Sequence, residues 1–126
     1  MKARVIIVDD NPRLVTRIAA LLAAEYDVVA TAADGESALG LSDLHKPDVI
    51  ILDVGLPGLN GIEVTKRLVT SSTHVVICSM ESDPLIMEAA RQAGAQGYVV
   101  KMRLERDLIP ALRSVLAGKS FVSPAI

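Results

Sequence analysis

The chain has 126 residues, of which 51% are hydrophobic and 22% charged, and its formal net charge at pH 7 is -2. This length fits one domain that can bury a core without disulfides or structural metals, so the composition excludes disorder as the main state. The mildly acidic balance, without a run of Lys or Arg, makes nucleic-acid binding by this chain alone a poor hypothesis.

The sequence has no feature typical of a secreted or membrane-spanning protein. Its single cysteine, Cys78, cannot form an internal disulfide. The first apolar run, Val5 to Val8, is shorter than a secretory signal requires, and no stretch approaches the roughly 18 apolar residues of a membrane span. We therefore expect a cytoplasmic protein without membrane contact.

Predicted strands and helices alternate along the chain. Val5 to Val8 form a β-branched run typical of a strand buried on both faces of a parallel sheet. Asn11 and Pro12 then predict a helix start, since Asn can cap free N–H groups and Pro suits the first helical position. The later strands are predicted at 28–32, 49–52, 75–78 and 98–100. The later helices are predicted to follow Asp34, the loop 55–61, Asp83 and about Asp107. Pro110 would then lie in the first turn of the last helix.

This alternation predicts an α/β fold with a single doubly wound, five-stranded parallel sheet and helices on both faces. The strand order is expected to be flavodoxin-like, 2-1-3-4-5, which makes the first and third strands neighbours. Residues 1–118 would form the domain, and residues 119–126 a tail that packs on it or starts a linker to a further domain.

Polar residues end the predicted strands, at the edge where ligands bind in open α/β sheets. Asp9 and Asp10 follow the first strand, Asp53 the third, Ser79 the fourth and Lys101 the fifth. Taken singly, each residue is as well explained by an ordinary turn. Their joint placement at the ends of four strands favours a functional site.

The chemistry predicted for this edge is phosphoryl transfer. Three neighbouring carboxylates repel one another unless a cation intervenes, and Mg2+ prefers oxygen ligands of this kind. Lys101 would add a second cation and Ser79 a hydroxyl donor, which suits a phosphoryl group. Asp53 is the favoured nucleophile, because it ends the central strand before a glycine-rich loop.

Four segments together resemble the receiver domain of two-component response regulators, the CheY-like family. They are VIIVDDNP at 5–12, VIILDVGLPGLNGIEV at 49–64, VVICS at 75–79 and AGAQGYVVK at 93–101. The stretch LIPALRSVLAGKSFVSP at 108–124 further resembles receivers of NarL/FixJ-type transcriptional regulators. The resemblance covers the whole chain.

The resemblance implies a role for each matching position. It implies that Asp53 is the phospho-acceptor and that Asp9 and Asp10 are the acidic pair that holds Mg2+. The backbone carbonyl of Gly55 would add a metal ligand. Ser79 and Tyr98 would be the two switch residues, and Lys101 the phosphate-binding lysine. The chain departs from the pattern at Met80, where the family usually has a small residue, and at Met102, where it usually has Pro.

The function implied is that of a signalling domain, not of an enzyme acting on a separate substrate. A sensor histidine kinase would donate the phosphoryl group, and the domain would catalyse only its own phosphorylation and dephosphorylation. Phosphorylation would switch the conformation to control an output, which in a longer parent protein would be transcription through a DNA-binding domain. The resemblance also implies a homodimer formed on phosphorylation.

Two other functions compete with this one. A receiver-like interaction module that never uses phosphate is the main alternative, with Met80 and Met102 as its signs. A flavin or hydrolase domain on the same architecture is disfavoured, because the chain lacks a phosphate loop after the first strand, has only 2% aromatic residues, and offers Asp9-Asp10-Asn11 where a hydrolase would need an Asp-x-Asp pair.

Overall fold

A computed structural model of the chain describes residues 2–124. Strands and helices alternate along this range, as the hydrophobic pattern predicts. The strands are β1 (Ala3–Val8), β2 (Tyr26–Ala32), β3 (Val49–Leu52), β4 (His74–Ser79), β5 (Gly97–Val100) and β6 (Phe121–Val122). The helices are α1 (Pro12–Leu22), α2 (Gly35–His45), α3 (Gly61–Leu68), α4 (Pro84–Ala93) and α5 (Leu104–Leu116), and a short 3-10 turn covers Lys101–Arg103.

The strands form one parallel sheet in the order β2-β1-β3-β4-β5-β6. The predicted flavodoxin-like order is therefore confirmed for the first five strands, and β1 and β3 are neighbours. The predicted number was wrong, because the described residues contain a sixth strand. β6 adds to the outer edge of β5.

The sixth strand makes backbone hydrogen bonds to residues far away in the sequence. The Phe121 N–H donates to the Gln96 carbonyl oxygen at 3.0 Å, and the Ser123 N–H donates to the Tyr98 carbonyl oxygen at 2.9 Å. A strand of two residues is too short to show hydrophobic alternation, so its pairing leaves no local pattern in the sequence.

The core lies on both faces of the sheet. On one face α1 and α5 bury Ile18, Leu22, Leu108 and Leu112 against the strands. On the other face α2, α3 and α4 bury Ala38, Val64 and Ala90. The central strands are buried on both sides, which explains their continuous apolar runs.

Side-chain caps start four of the helices. The helix starts predicted after Asn11, Asp34 and Asp83 are confirmed: these three side chains accept hydrogen bonds from backbone N–H groups of the first turns that follow them. Asn60, which the sequence patterns did not single out, caps α3 in the same way. These caps fix where the chain leaves the carboxyl edge of the sheet.

The last helix begins earlier than predicted. It starts at Leu104 and not near Asp107, so Pro110 lies in the helix interior, on the exposed side. Asp107 fills a first-turn position, where a negative charge interacts favourably with the helix dipole. Within residues 2–124, none of the helices is both long and apolar enough to cross a membrane.

Candidate functional site

Three carboxylates meet at the carboxyl edge of the sheet. Asp9 and Asp10 follow β1, and Asp53 follows β3. Because Val8 pairs with Leu52 in the sheet, the chain presents these residues side by side. One carboxylate oxygen from each lies within 4.8 Å of the others, as the sequence predicts.

Lys101 joins this group from the 3-10 turn that follows β5, on the other side of β4. Its Nζ lies 2.7 Å from Asp9 Oδ2 and 3.2 Å from Asp53 Oδ2. Burial lowers the pKa of Lys101, but its hydrogen bond to Asp9 and the negative charges of Asp53 and Asp9 outweigh burial and raise the pKa above its ordinary value. The ammonium group therefore stays charged at neutral pH.

Backbone hydrogen bonds fix the two carboxylates that contact the lysine. The Asp9 N–H donates to the Ala32 carbonyl oxygen at 3.0 Å, and the Asp9 carboxylate accepts from the Asn11 N–H at 2.9 Å. The Asp53 N–H donates to the Val8 carbonyl oxygen at 3.2 Å. Asp9 is only 3% exposed, whereas Asp10 lies exposed at the rim.

The loop after Asp53 is held close to the strand by Gly61. A Cβ atom at Gly61 would lie 2.1 Å from the Asp53 carbonyl oxygen, so only glycine allows this approach. Gly55 lies exposed in the same loop, and a Cβ atom there would lie 3.8 Å from Asp53 Oδ2. A side chain at this position would therefore contact the Asp53 carboxylate, and glycine keeps that side of the carboxylate uncovered.

Ser79 and Tyr98 are both connected to the backbone of Glu81. Ser79, buried at the end of β4, accepts a hydrogen bond from the Glu81 N–H at 3.1 Å. The buried Tyr98 ring donates its hydroxyl hydrogen to the Glu81 carbonyl oxygen at 2.8 Å. Burial, together with the nearby negative charges of Glu81 and Asp53, raises the pKa of Tyr98 against the lowering effect of Ser79.

The two methionines that depart from the family pattern lie next to the site. Met80 is 67% exposed and Met102 is 72% exposed. Between residues 2 and 124 every peptide bond is trans, so the chain passes from Lys101 to Met102 without a cis bond.

One polar cluster near the site is not among the residues predicted from the sequence. Arg103, Asp107 and Ser123 form it, and we call it the Asp107 cluster. Asp107 accepts hydrogen bonds from Arg103 Nε at 2.8 Å and from Ser123 Oγ at 2.7 Å. The i, i+4 spacing of Arg103 and Asp107 was a visible signal for their ion pair, but the contact with Ser123 depends on β6.

The charges at the site do not cancel. The Lys101 ammonium offsets one of the three carboxylates, so two negative charges remain within a few ångströms. Oxygen donors with this residual charge suit a hard divalent cation. The fold and the site together define a flavodoxin-like α/β domain with an acidic, lysine-bridged site at the carboxyl edge of its sheet.

Comparison with known proteins gives the family. The family model described as the response regulator receiver domain matches residues 5–113. The chain belongs to this family.

The relatives include response regulators that are longer than this chain. The response regulator GacA of Pseudomonas aeruginosa is 38% identical over 128 residues, covering 98% of this chain and 59% of GacA. The nitrate/nitrite response regulator NarL of Escherichia coli is 33% identical over 128 residues, with the same coverage of 98% and 59%. The chain therefore spans little more than half the length of these relatives.

Solved structures agree with the fold. A LuxR-family two-component response regulator from Aurantimonas sp. superposes with a TM-score of 0.93 at 34% identity, covering 98% of this chain and 91% of that one. The receiver domain of RcsB from Salmonella enterica serovar Typhimurium, in the presence of the phosphomimetic BeF3-, gives 0.89 at 26% identity, covering 98% and 94%.

Proposed function

We propose that this chain is the phosphorylation-dependent receiver domain of a two-component response regulator, with Asp53 as the phospho-acceptor. The observation that carries the proposal is the position of the Lys101 ammonium, in contact with both Asp9 and Asp53. A phosphoryl group bonded to the Asp53 carboxylate would lie within reach of that ammonium, which would neutralise part of its charge.

The acidic residues fit a Mg2+ ion. Asp9, Asp10 and Asp53 would hold it, with the Gly55 carbonyl oxygen as a further ligand, because their oxygens are hard donors and two negative charges remain unbalanced. The ion would supply charge neutralisation for the phosphoryl oxygens.

The chain's own residues carry the transfer. An Asp53 carboxylate oxygen forms a bond to phosphorus while the phosphorus–nitrogen bond of the kinase phosphohistidine breaks, and the imidazole leaves with the electron pair. Lys101 orients and neutralises the group, and the Ser79 hydroxyl donates a hydrogen bond to it. The domain is thus a signalling acceptor that acts on itself, with hydrolysis of the acyl phosphate as its return step.

Ser79 and Tyr98 would transmit the change. To donate a hydrogen bond to a phosphoryl oxygen, the Ser79 side chain would turn towards Asp53, which would move its oxygen relative to the Glu81 N–H from which it now accepts. Glu81 is also the partner of Tyr98. Phosphorylation would therefore bias the chain between two arrangements of β4, α4 and β5, and the surface formed by α4, β5 and α5 would report it.

The output is proposed from the relatives. GacA and NarL are longer response regulators, and RcsB structures contain dimers bound to DNA. We propose that this domain controls transcription as part of a longer parent, with dimerisation on phosphorylation and with DNA binding outside residues 1–126. The boundary after Gly118 and the cytoplasmic location also stay predictions.

The experiment is phosphorylation by a small donor. With acetyl phosphate and Mg2+ the wild-type chain should gain one alkali- and hydroxylamine-labile phosphoryl group, detected by intact-mass measurement. Asp53→Asn should gain none. Asp43→Asn, which changes an exposed carboxylate on α2, should be labelled like the wild type.

The alternative function makes the opposite prediction. A phosphorylation-independent interaction module would take no label, and its partner binding would be indifferent to Asp53→Asn. An unlabelled but folded wild-type chain would therefore favour that alternative over the proposal.

A further inference from the structure

The 3-10 turn that carries Lys101 has little to fix it locally. Lys101, Met102 and Arg103 include no proline or glycine, and no side chain caps the N-terminus of this turn or of α5, which follows it. The lysine nevertheless reaches two carboxylates on other strands. Besides the Leu104 N–H bond to the Lys101 carbonyl oxygen, contacts from α5 and from the residues after β6 hold the turn.

The Asp107 cluster supplies these contacts on both sides of the lysine. Before it, the Val100 N–H donates to Ser123 Oγ at 3.1 Å. After it, the Arg103 guanidinium donates to Asp107 at 2.8 Å. Ser123 and Asp107 are joined by their own hydrogen bond of 2.7 Å, so one connected set contacts the backbone of Val100 before Lys101 and the side chain of Arg103 after it.

The cluster is buried, which makes its hydrogen bonds costly to lose. Asp107 and Ser123 are each 5% exposed. Removal of the Ser123 hydroxyl would leave the buried Val100 N–H without a partner and would take one donor from the Asp107 carboxylate. The chain could relieve both defects only by moving the turn or by releasing β6.

We propose that the Asp107 cluster is a positioning set for Lys101, so that docking of the C-terminal strand β6 and the reach of Lys101 into the acidic site are one structural state. Release of residues 121–124 from β5 would then withdraw the lysine from Asp53. By linkage, an anion bound at the site would strengthen the docking of β6. The inference rests on the proposed function of Lys101 as the phosphoryl-binding cation.

The first test compares two affinities in the whole chain. In Ser123→Ala, beryllofluoride binding at saturating Mg2+ should weaken about fivefold or more, at the low end of typical coupling between sites. Mg2+ binding alone should stay the same or tighten, because the carboxylates are untouched and the competing ammonium is less well placed. Ser123→Thr, which keeps the hydroxyl, should restore beryllofluoride binding, and Ser120→Ala, on the exposed part of the same tail, should behave like the wild type.

A second readout needs no ligand. The side-chain ammonium resonance of Lys101 in NMR spectra should shift in Ser123→Ala and in Asp107→Asn, and should not shift in Ser120→Ala. One folded variant of the two, Ser123→Ala or Asp107→Asn, is enough to measure whether the Lys101 resonance shifts, so the test still works if the other variant does not fold.

The outcomes separate the two proposals. If the wild type binds no beryllofluoride, the proposed function fails and this inference fails with it. If the wild type binds and the two cluster variants bind equally well with an unmoved Lys101 resonance, only the inference is overturned. A parallel loss of Mg2+ and beryllofluoride affinity in the variants would indicate general loosening of the fold and would also overturn it.

Discussion

The Tyr98 hydroxyl donates a hydrogen bond to the Glu81 carbonyl oxygen at 2.8 Å. The N–H of Glu81 donates to Ser79 Oγ, so one residue connects the buried aromatic ring of β5 to the hydroxyl at the end of β4. The two switch positions implied by the family resemblance are therefore linked through a single stretch of backbone.

Tyr98→Phe should weaken this link while leaving the ring in place. We expect a loss of about 0.5–1.5 kcal/mol in unfolding free energy, the usual contribution of one hydrogen bond. We also expect the NMR shift changes that beryllofluoride causes at residues 80–83 to shrink. Tyr26→Phe, on the opposite edge of the sheet, is the matched control and should leave those changes intact. Equal changes in both variants would argue against the link.

Lys101→Met should separate two effects of the lysine, which are stabilisation of the metal-free fold and competition with Mg2+. Without the ammonium the neighbouring carboxylates repel one another, so the free energy of unfolding without Mg2+ should fall. Mg2+ affinity should rise roughly tenfold or more, since unit charges about 4 Å apart interact by ~1 kcal/mol even in high dielectric and Mg2+ carries two charges. Titration of the melting temperature with Mg2+ measures both effects, and Lys66→Met, on the exposed side of α3, is the control. Unchanged Mg2+ affinity would contradict the ion pairs seen here.

Two glycine-to-alanine substitutions should have opposite signs. Gly40 is exposed within α2, and a Cβ atom added there would have no neighbouring atom within 4 Å, so Gly40→Ala should stabilise the chain by about 0.5–1 kcal/mol. At Gly61 the new Cβ would meet the Asp53 carbonyl oxygen at 2.1 Å, so Gly61→Ala should destabilise the chain and displace Asp53. Urea unfolding and acetyl phosphate labelling test the pair. A Gly61→Ala chain as stable and as readily labelled as the wild type would contradict the close approach.

Cys78 should be inert in the folded chain. Burial raises the pKa of its thiol to about 12. At pH 8 the reactive thiolate would therefore be on the order of one part in ten thousand, before access is considered. Reaction with a thiol reagent should appear only when denaturant is added, and rapid labelling of the native chain would contradict the burial.

Protonation of Asp107 should lower the free energy of unfolding at acid pH. Burial alone would raise the pKa of Asp107, but hydrogen bonds from Arg103 and Ser123, with the charges of Arg103 and Arg106, hold the pKa below its ordinary value. A carboxyl group shifted in this direction stabilises the fold above about pH 4, its unfolded pKa, and this contribution is lost as the pH falls through the lower folded pKa. Urea unfolding across this range should show Asp107→Asn less stable than the wild type at pH 7, with the gap narrowing in acid. A constant gap would contradict the assignment.

The sequence carried enough signal to predict most of the fold and the site. Val5 to Val8 and Val49 to Leu52 are buried on nearly every side, so their strands appear as unbroken apolar runs. Parallel strands bring their ends to one edge, and this rule alone placed Asp9, Asp53 and Lys101 together.

What the sequence could not show depends on contacts between distant residues. β6 exists because Phe121 and Ser123 find partners on Gln96 and Tyr98, and neither the spacing nor the composition of residues 119–124 indicates this. The early start of α5 has the same origin, since a buried Asp107 paired with Arg103 reads in the sequence like an ordinary helix cap. Pro110 misplaced the start further, because proline is more usual in a first turn than in a helix interior.

The most direct test of the proposed phosphoryl site is a calorimetric titration with beryllofluoride, a mimic of the phosphoryl group, with and without Mg2+. We predict binding at one site per chain that requires both Mg2+ and the Asp53 carboxylate, and that is lost in Asp53→Asn. Binding of equal strength without Mg2+ or to Asp53→Asn, or no binding by a folded wild-type chain, would contradict the proposal.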